Sequence, residues 1–220
     1  MERSAVYRRA LAPIMIYCGG TGIAGGVAGW LLKIDSTRGF VLFWSGIAAM
    51  ALVGAFVLVR RQALKDSEPF WSPPTKRVAQ ALLPAFVIGG CAGIDGVFNG
   101  GGLNYDNGGV QADWNLIFIW CLFFGCALHS AGFFMPRGMK LFGWLFILAG
   151  FLFVITSSIN LNFDRFLRSP NSFLVLLSVL GYYFQCLLFS PHLLMGGIFG
   201  GLHFAYGIYL HFTERKNPVA

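Results

Sequence analysis

Apolar residues in this chain are gathered into blocks about as long as a lipid bilayer is thick, and no other feature constrains the fold as much. A helix that crosses the hydrocarbon layer needs roughly 20 mostly apolar residues. Blocks of that length run over about 11–32, 39–59, 78–96, 114–135, 141–158 and 193–212, and a further apolar stretch covers 172–189. Charged side chains are costly in hydrocarbon, and here they fall between the blocks. Lipid offers no partner for an open backbone, so spans of this kind fold as helices. The expectation is an all-α, polytopic transmembrane bundle of six spans, with 172–189 either a seventh span or an interfacial helix. Such a bundle uses residues 1–220 as a single domain.

Charge then bears on orientation. Only 11% of the residues are charged, against about 25% in an average soluble domain. The net charge of +7 therefore reads as marking cytoplasmic loops, which attract Lys and Arg, and not as a nucleic-acid surface. With a cytoplasmic N-terminus and six spans, only Lys33, Arg38, Arg165 and Arg168 of the 16 basic residues lie outside. A seventh span would add Arg215 and Lys216 to them. The positive-inside rule thus favours six. Arg8 and Arg9 before an apolar run resemble a signal peptide, but Leu11 to Leu32 is too long for one and reads as an uncleaved first helix. The five cysteines lie in apolar stretches without a CxxC pair, as small buried hydrophobes do.

The links carry their own signals. KIDSTR after the first block is short enough to force an antiparallel hairpin. In the long charged link 60–77, Pro69, Pro73 and Pro74 break helix and Thr75 is the expected cap of the third helix. Pro84 is a candidate kink in that helix. Residues 95–113, rich in Gly and Asn, read as a flexible loop, and SPH at 190–192 reads as a link before the last span.

The stretch RRQALKDSEPFWSPPTKRVAQALLP, residues 60–84, resembles a family of small, uncharacterised bacterial multi-pass membrane proteins. LAPIMIYCGG near the start and GGIFGGLHFAYGIYLHFTERK at 196–216 are similar to that family too. The resemblance implies an inner (cytoplasmic) membrane location, six spans, both termini inside, and a gene that often sits beside a winged-helix regulator. The stretches 97–112 and 160–190 depart from the family pattern. The family carries no catalytic residue to this sequence.

Few residues suggest chemistry. Gly22 with Gly26, and Gly196 with Gly200, are small residues four apart and read as helix-packing positions. The pairs Gly25 with Gly29 and Gly197 with Gly201 share that spacing. Asp95, His129 and His203 are the candidate polar intramembrane site. His203 falls on the same helical face as Gly196, Gly200 and Gly207, so it should point inward to a polar partner, with Tyr17, Ser130 and His129 as candidates. Most buried histidines hydrogen-bond a neighbouring helix; a facing pair could instead ligate haem iron.

No GxSxG elbow, Walker A loop, HExxH zinc pattern or CxxCH haem motif occurs. No catalytic residue, metal or cofactor is therefore expected, and an enzyme activity is not the expected function. The partners expected are the lipid bilayer and a membrane protein or a second copy of this chain. The leading reading is a small accessory or regulatory membrane protein acting through helix contacts. One alternative is a small solute or ion transporter or channel-like protein using the three polar residues. Another is a redox or quinone-associated subunit with histidine ligands.

Overall fold

The computed structural model describes residues 5–65, 67, 73–99, 110–135, 138–161 and 190–216, with no strands among them. Six helices result: α1 (Ala5–Leu31), α2 (Thr37–Lys65), α3 (Pro73–Asn99), α4 (Val110–Ala131), α5 (Gly138–Leu161) and α6. The last is continuous through three parts, Pro191–Met195, a π-helical segment Gly196–Gly201, and Leu202–Lys216. Five of the six are long and apolar enough to cross a membrane. The part of α5 whose side chains are described, Gly138–Leu152, is apolar and shorter. The chain is a multi-pass helical membrane protein.

Local chemistry sets the helix ends. Lys33 adopts a left-handed φ of 51° just beyond α1, and the Leu32 amide bonds back to the Ala28 carbonyl. Ser36 then caps α2, its Oγ accepting from the Gly39 amide at 3.1 Å. The third helix starts at Pro73, earlier than the cap expected at Thr75. Proline is tolerated in a first turn, where its missing N–H would have no helical partner. Ser190 caps α6 by accepting from the His192 amide at 3.2 Å, with Pro191 as its first residue. The SPH sequence is therefore a helix start and not a link. Helices α3 and α4 also reach further than expected into the Gly- and Asn-rich stretch, through Asn99 and from Val110. The stretch 172–189 lies outside the described residues.

Registers across the seams fix the directions. Tyr17 meets Gly54 and Gly25 meets Ile47, so α1 and α2 are antiparallel. Between α1 and α6 the matched pairs are Ile16 with Gly207, Gly22 with Gly200 and Gly26 with Gly196, again antiparallel. Phe142 stacks on Tyr206 and Phe146 packs on Phe199, which sets α5 antiparallel to α6. The pairs Gly132–Lys140 and Gly150–Cys121 do the same for α4 and α5. The pairs Gly96–Leu116 and Phe86–Phe124 do it for α3 and α4. Val41 against Gly93 and Gly96 closes α2 onto α3. The helices form a closed ring in the order α1–α2–α3–α4–α5–α6, alternating in direction, closed between α5 and α6 by aromatic side chains, with α4 also touching α2 and the start of α6. The C-terminal end of α5 and the start of α6 therefore lie at the same end of the bundle.

Aromatic and aliphatic side chains fill the ring. Phe40, Phe142, Phe146, Ile117, Met139 and Cys121 are its largest fully buried side chains. In lipid, where tails are as apolar as Leu, helices associate through close packing and hydrogen bonds. Two glycine-lined seams supply the close packing. On α1, Gly19, Gly22, Gly26 and Gly29 all face α6. A Cβ on Gly22 would lie 2.8 Å from the Gly200 Cα, and one on Gly26 would lie 2.9 Å from the Gly196 Cα. At the α4–α5 seam, a Cβ on Gly125 would lie 2.8 Å from the Gly143 carbonyl oxygen. By contrast Gly197 and Gly201 have open space beside them, and Gly25 serves the α2 seam instead.

Candidate functional site

Two buried histidines of α6 each organise a layer of the interior. The first is built around His192, in the opening turn of α6 and 3% exposed. The Trp44 indole N–H donates to its Nδ1 at 3.1 Å. Indole nitrogen only donates, so the imidazole proton sits on Nε2. That nitrogen lies 3.1 Å from the Ile34 carbonyl, to which it donates. Phe40 and Phe43 flank the ring at centroid distances of 5.0 and 5.5 Å. Gly29 makes the space: a Cβ there would meet the imidazole, 2.6 Å from its Cγ. One side chain thus ties α1, the α1–α2 turn, α2 and α6 together, with both ring nitrogens satisfied. The sequence reading missed His192 because it placed the residue in a link. The Ser-Pro start signal was the clue that would have moved it into the helix.

The second layer is built around His203, on α6 and 8% exposed. It points inward, as its glycine-lined face requires. Its polar partner is neither Tyr17 nor another histidine but the Phe199 carbonyl one turn back, which accepts from Nδ1. Tyr17 instead donates to the Met50 carbonyl at 3.2 Å. Phe124, Phe142 and Phe146 enclose the His203 ring at 5.3, 5.1 and 5.4 Å. The Phe199 carbonyl belongs to the π-helical segment, a helix form that recurs at functional sites.

His129 and Asp95 lie elsewhere. His129 packs edge-on against Phe133 and Trp144, at 5.7 and 5.6 Å. Its Nδ1 is buried without a hydrogen-bond partner among the described residues. Trp144 is 48% exposed whereas Phe142 and Phe146 are buried, so His129 and His203 meet opposite faces of α5. The facing pair that haem ligation would need is not formed between them. Asp95 is exposed on α3, while its neighbours Gly93 and Gly96 are buried against α2 and α4. The three residues of the expected polar site are therefore not brought together. No group of three or more His, Cys, Asp or Glu side chains among the described residues is arranged to hold a metal ion.

Chemically, the described interior groups hold helices in register. Compared with known proteins, the chain has no match among family models, curated proteins or solved structures.

Proposed function

We propose that the protein is a small accessory or regulatory membrane protein of the bacterial inner membrane that works through helix contacts. The observation that supports this reading most is how the ring is filled. Its axis is occupied by two aromatic layers, Phe40, Trp44 and His192 in one and Phe142, Phe146 and His203 in the other. Transporters instead bind their substrates at polar sites near the midplane, commonly where helices are broken. Among the described residues, the two histidines of these layers are bonded within the protein, His192 to Trp44 and the Ile34 carbonyl and His203 to the Phe199 carbonyl of its own helix.

The same reading takes six crossings with both termini cytoplasmic. The ring brings to one end the start of α1, Arg60, Arg61 and Lys65 of α2, Lys76 and Arg77 of α3, Lys140 of α5 and the end of α6. That clustering is what the positive-inside rule asks of a cytoplasmic face.

Contacts with another protein then fall to the outer surface. Along α2 and α3 it carries Leu42, Met50, Phe56, Leu83 and Val87, all exposed. Affinity purification in mild detergent tests the proposal. A stoichiometric membrane partner is the expected result. A lone, monodisperse protein that moves ions or solutes across proteoliposomes would replace it with the transporter reading.

A further inference from the structure

On the outer face of the α4–α5 seam, four side chains form a continuous strip: Trp144, His129, Phe133 and Lys140. His129 and Phe133 are four apart on α4 and the turn that follows it, and Lys140 and Trp144 are four apart on α5, so each pair shares a face. The ring contacts described above join His129 to both aromatics. The ammonium of Lys140 lies 3.5 Å from the centre of the Phe133 ring. Its stem is seated by Gly132, where an added Cβ would come within 2.6 Å of the Lys140 Cγ. The cation is thus held close to the seam. Phe133 is 64% exposed and Trp144 48%, so the strip opens outward toward lipid, and Ser130, which follows His129 in the chain, is exposed too.

We propose that this strip binds the phosphate headgroup of an anionic phospholipid. Lys140 supplies the charge, Ser130 a hydroxyl donor, and the Trp144 and Phe133 rings bracket the glycerol and upper acyl region. Tryptophan suits that depth because its ring is amphipathic. Basic pockets between helices on the cytoplasmic side bind anionic headgroups elsewhere. The His129 ring packs edge-on against both Phe133 and Trp144 and so keeps the two aromatics on the same strip as the lysine. The assignment of the strip to the cytoplasmic leaflet rests on the topology proposed above. The binding chemistry does not, because a symmetric bilayer presents the same lipid to both ends.

Nanodiscs of phosphatidylcholine with a minor share of phosphatidylglycerol provide the test, with lipid retained on the protein read by native mass spectrometry. The expected result is enrichment of phosphatidylglycerol over phosphatidylcholine, falling about five-fold in Lys140→Gln, since one basic residue near a charged surface contributes about 1 kcal/mol. Lys140→Arg, which keeps the charge, should retain the enrichment and shows that the seam still folds. Lys76→Gln, a change at an exposed lysine of the same end, should leave it unaltered. Three results would overturn the proposal: no preference for phosphatidylglycerol, equal losses in Lys140→Gln and Lys76→Gln, or displacement of the lipid by millimolar inorganic phosphate. The last would identify a free-phosphate site. None of these readouts depends on sidedness, so a wrong topology and a wrong site remain distinguishable.

Discussion

Gly22→Ala adds one carbon to the α1–α6 seam, and two effects of opposite sign compete. Alanine is the better helix former by about 1 kcal/mol. Against this, the new Cβ would sit 2.8 Å from the Gly200 Cα and 3.0 Å from its amide nitrogen. Carbon atoms prefer separations of about 3.5–4.0 Å. The obstacle is backbone, so no rotamer change relieves it and the helices must part by several tenths of an ångström. Overpacking of this kind costs roughly 1–3 kcal/mol, and parting the helices also loosens Gly26 against Gly196 one turn on. The clash should therefore outweigh the gain in propensity. Gly197→Ala is the control: it lies on α6, the other helix of the seam, but nothing stands within 4 Å of an added Cβ. Thermal unfolding in mild detergent reads the difference. At about 2–4 °C per kcal/mol for a chain of this size, Gly22→Ala should melt several degrees below the parent. Gly197→Ala should melt at or slightly above it. Equal melting temperatures for the two variants would refute the seam.

Other outcomes follow from the two polar layers. Trp44→Phe keeps an aromatic ring but leaves the His192 Nδ1 without its donor, at about 1–3 kcal/mol for a buried unpaired group; a thermal melt unchanged from the parent would contradict the network. His203→Ala removes the ring from between three phenylalanines and should cost about 2–5 kcal/mol, whereas His203→Phe should retain most of that packing; similar melting points for the two would count against the cage. Because His129 and His203 meet opposite faces of α5, the purified protein should show no Soret band that depends on the pair. A band lost in both His129→Ala and His203→Ala would reopen the redox reading.

Much of the architecture is legible in the sequence because the bilayer enforces it. Span length and the placement of charge between spans are demanded by hydrocarbon, whatever the neighbours do. The glycines are legible only in part. Spacing by four marks Gly22, Gly26, Gly196 and Gly200, but it marks Gly25 with Gly29 and Gly197 with Gly201 equally well. One helix read alone does not say which neighbour each face meets. In the bundle Gly29 belongs with Gly22 and Gly26 against α6, and Gly25 turns to α2. The α4–α5 seam escaped that search because its glycines, Gly125 with Gly132 and Gly143 with Gly150, lie seven apart. His192 escaped for another reason. A hydropathy block begins where apolar residues begin, whereas the helix begins at its cap, so the polar first turn of α6 was counted as a link. The grouping of Asp95, His129 and His203 assumed that polar residues in spans converge, but the ring directs each to a different surface.

The account depends most on the alternating ring that returns α6 to the side where α1 begins. Single cysteines placed at Lys33 and at Lys216 in a cysteine-free background test it most directly, using a membrane-impermeant maleimide on intact and on permeabilised cells. Lys33 lies in the turn between α1 and α2, and Lys216 is the last residue of α6. The ring, with the cytoplasmic termini proposed above, predicts that Lys33→Cys labels in intact cells and that Lys216→Cys labels only after permeabilisation. Labelling of both positions from the outside would place the two termini on opposite sides and contradict it.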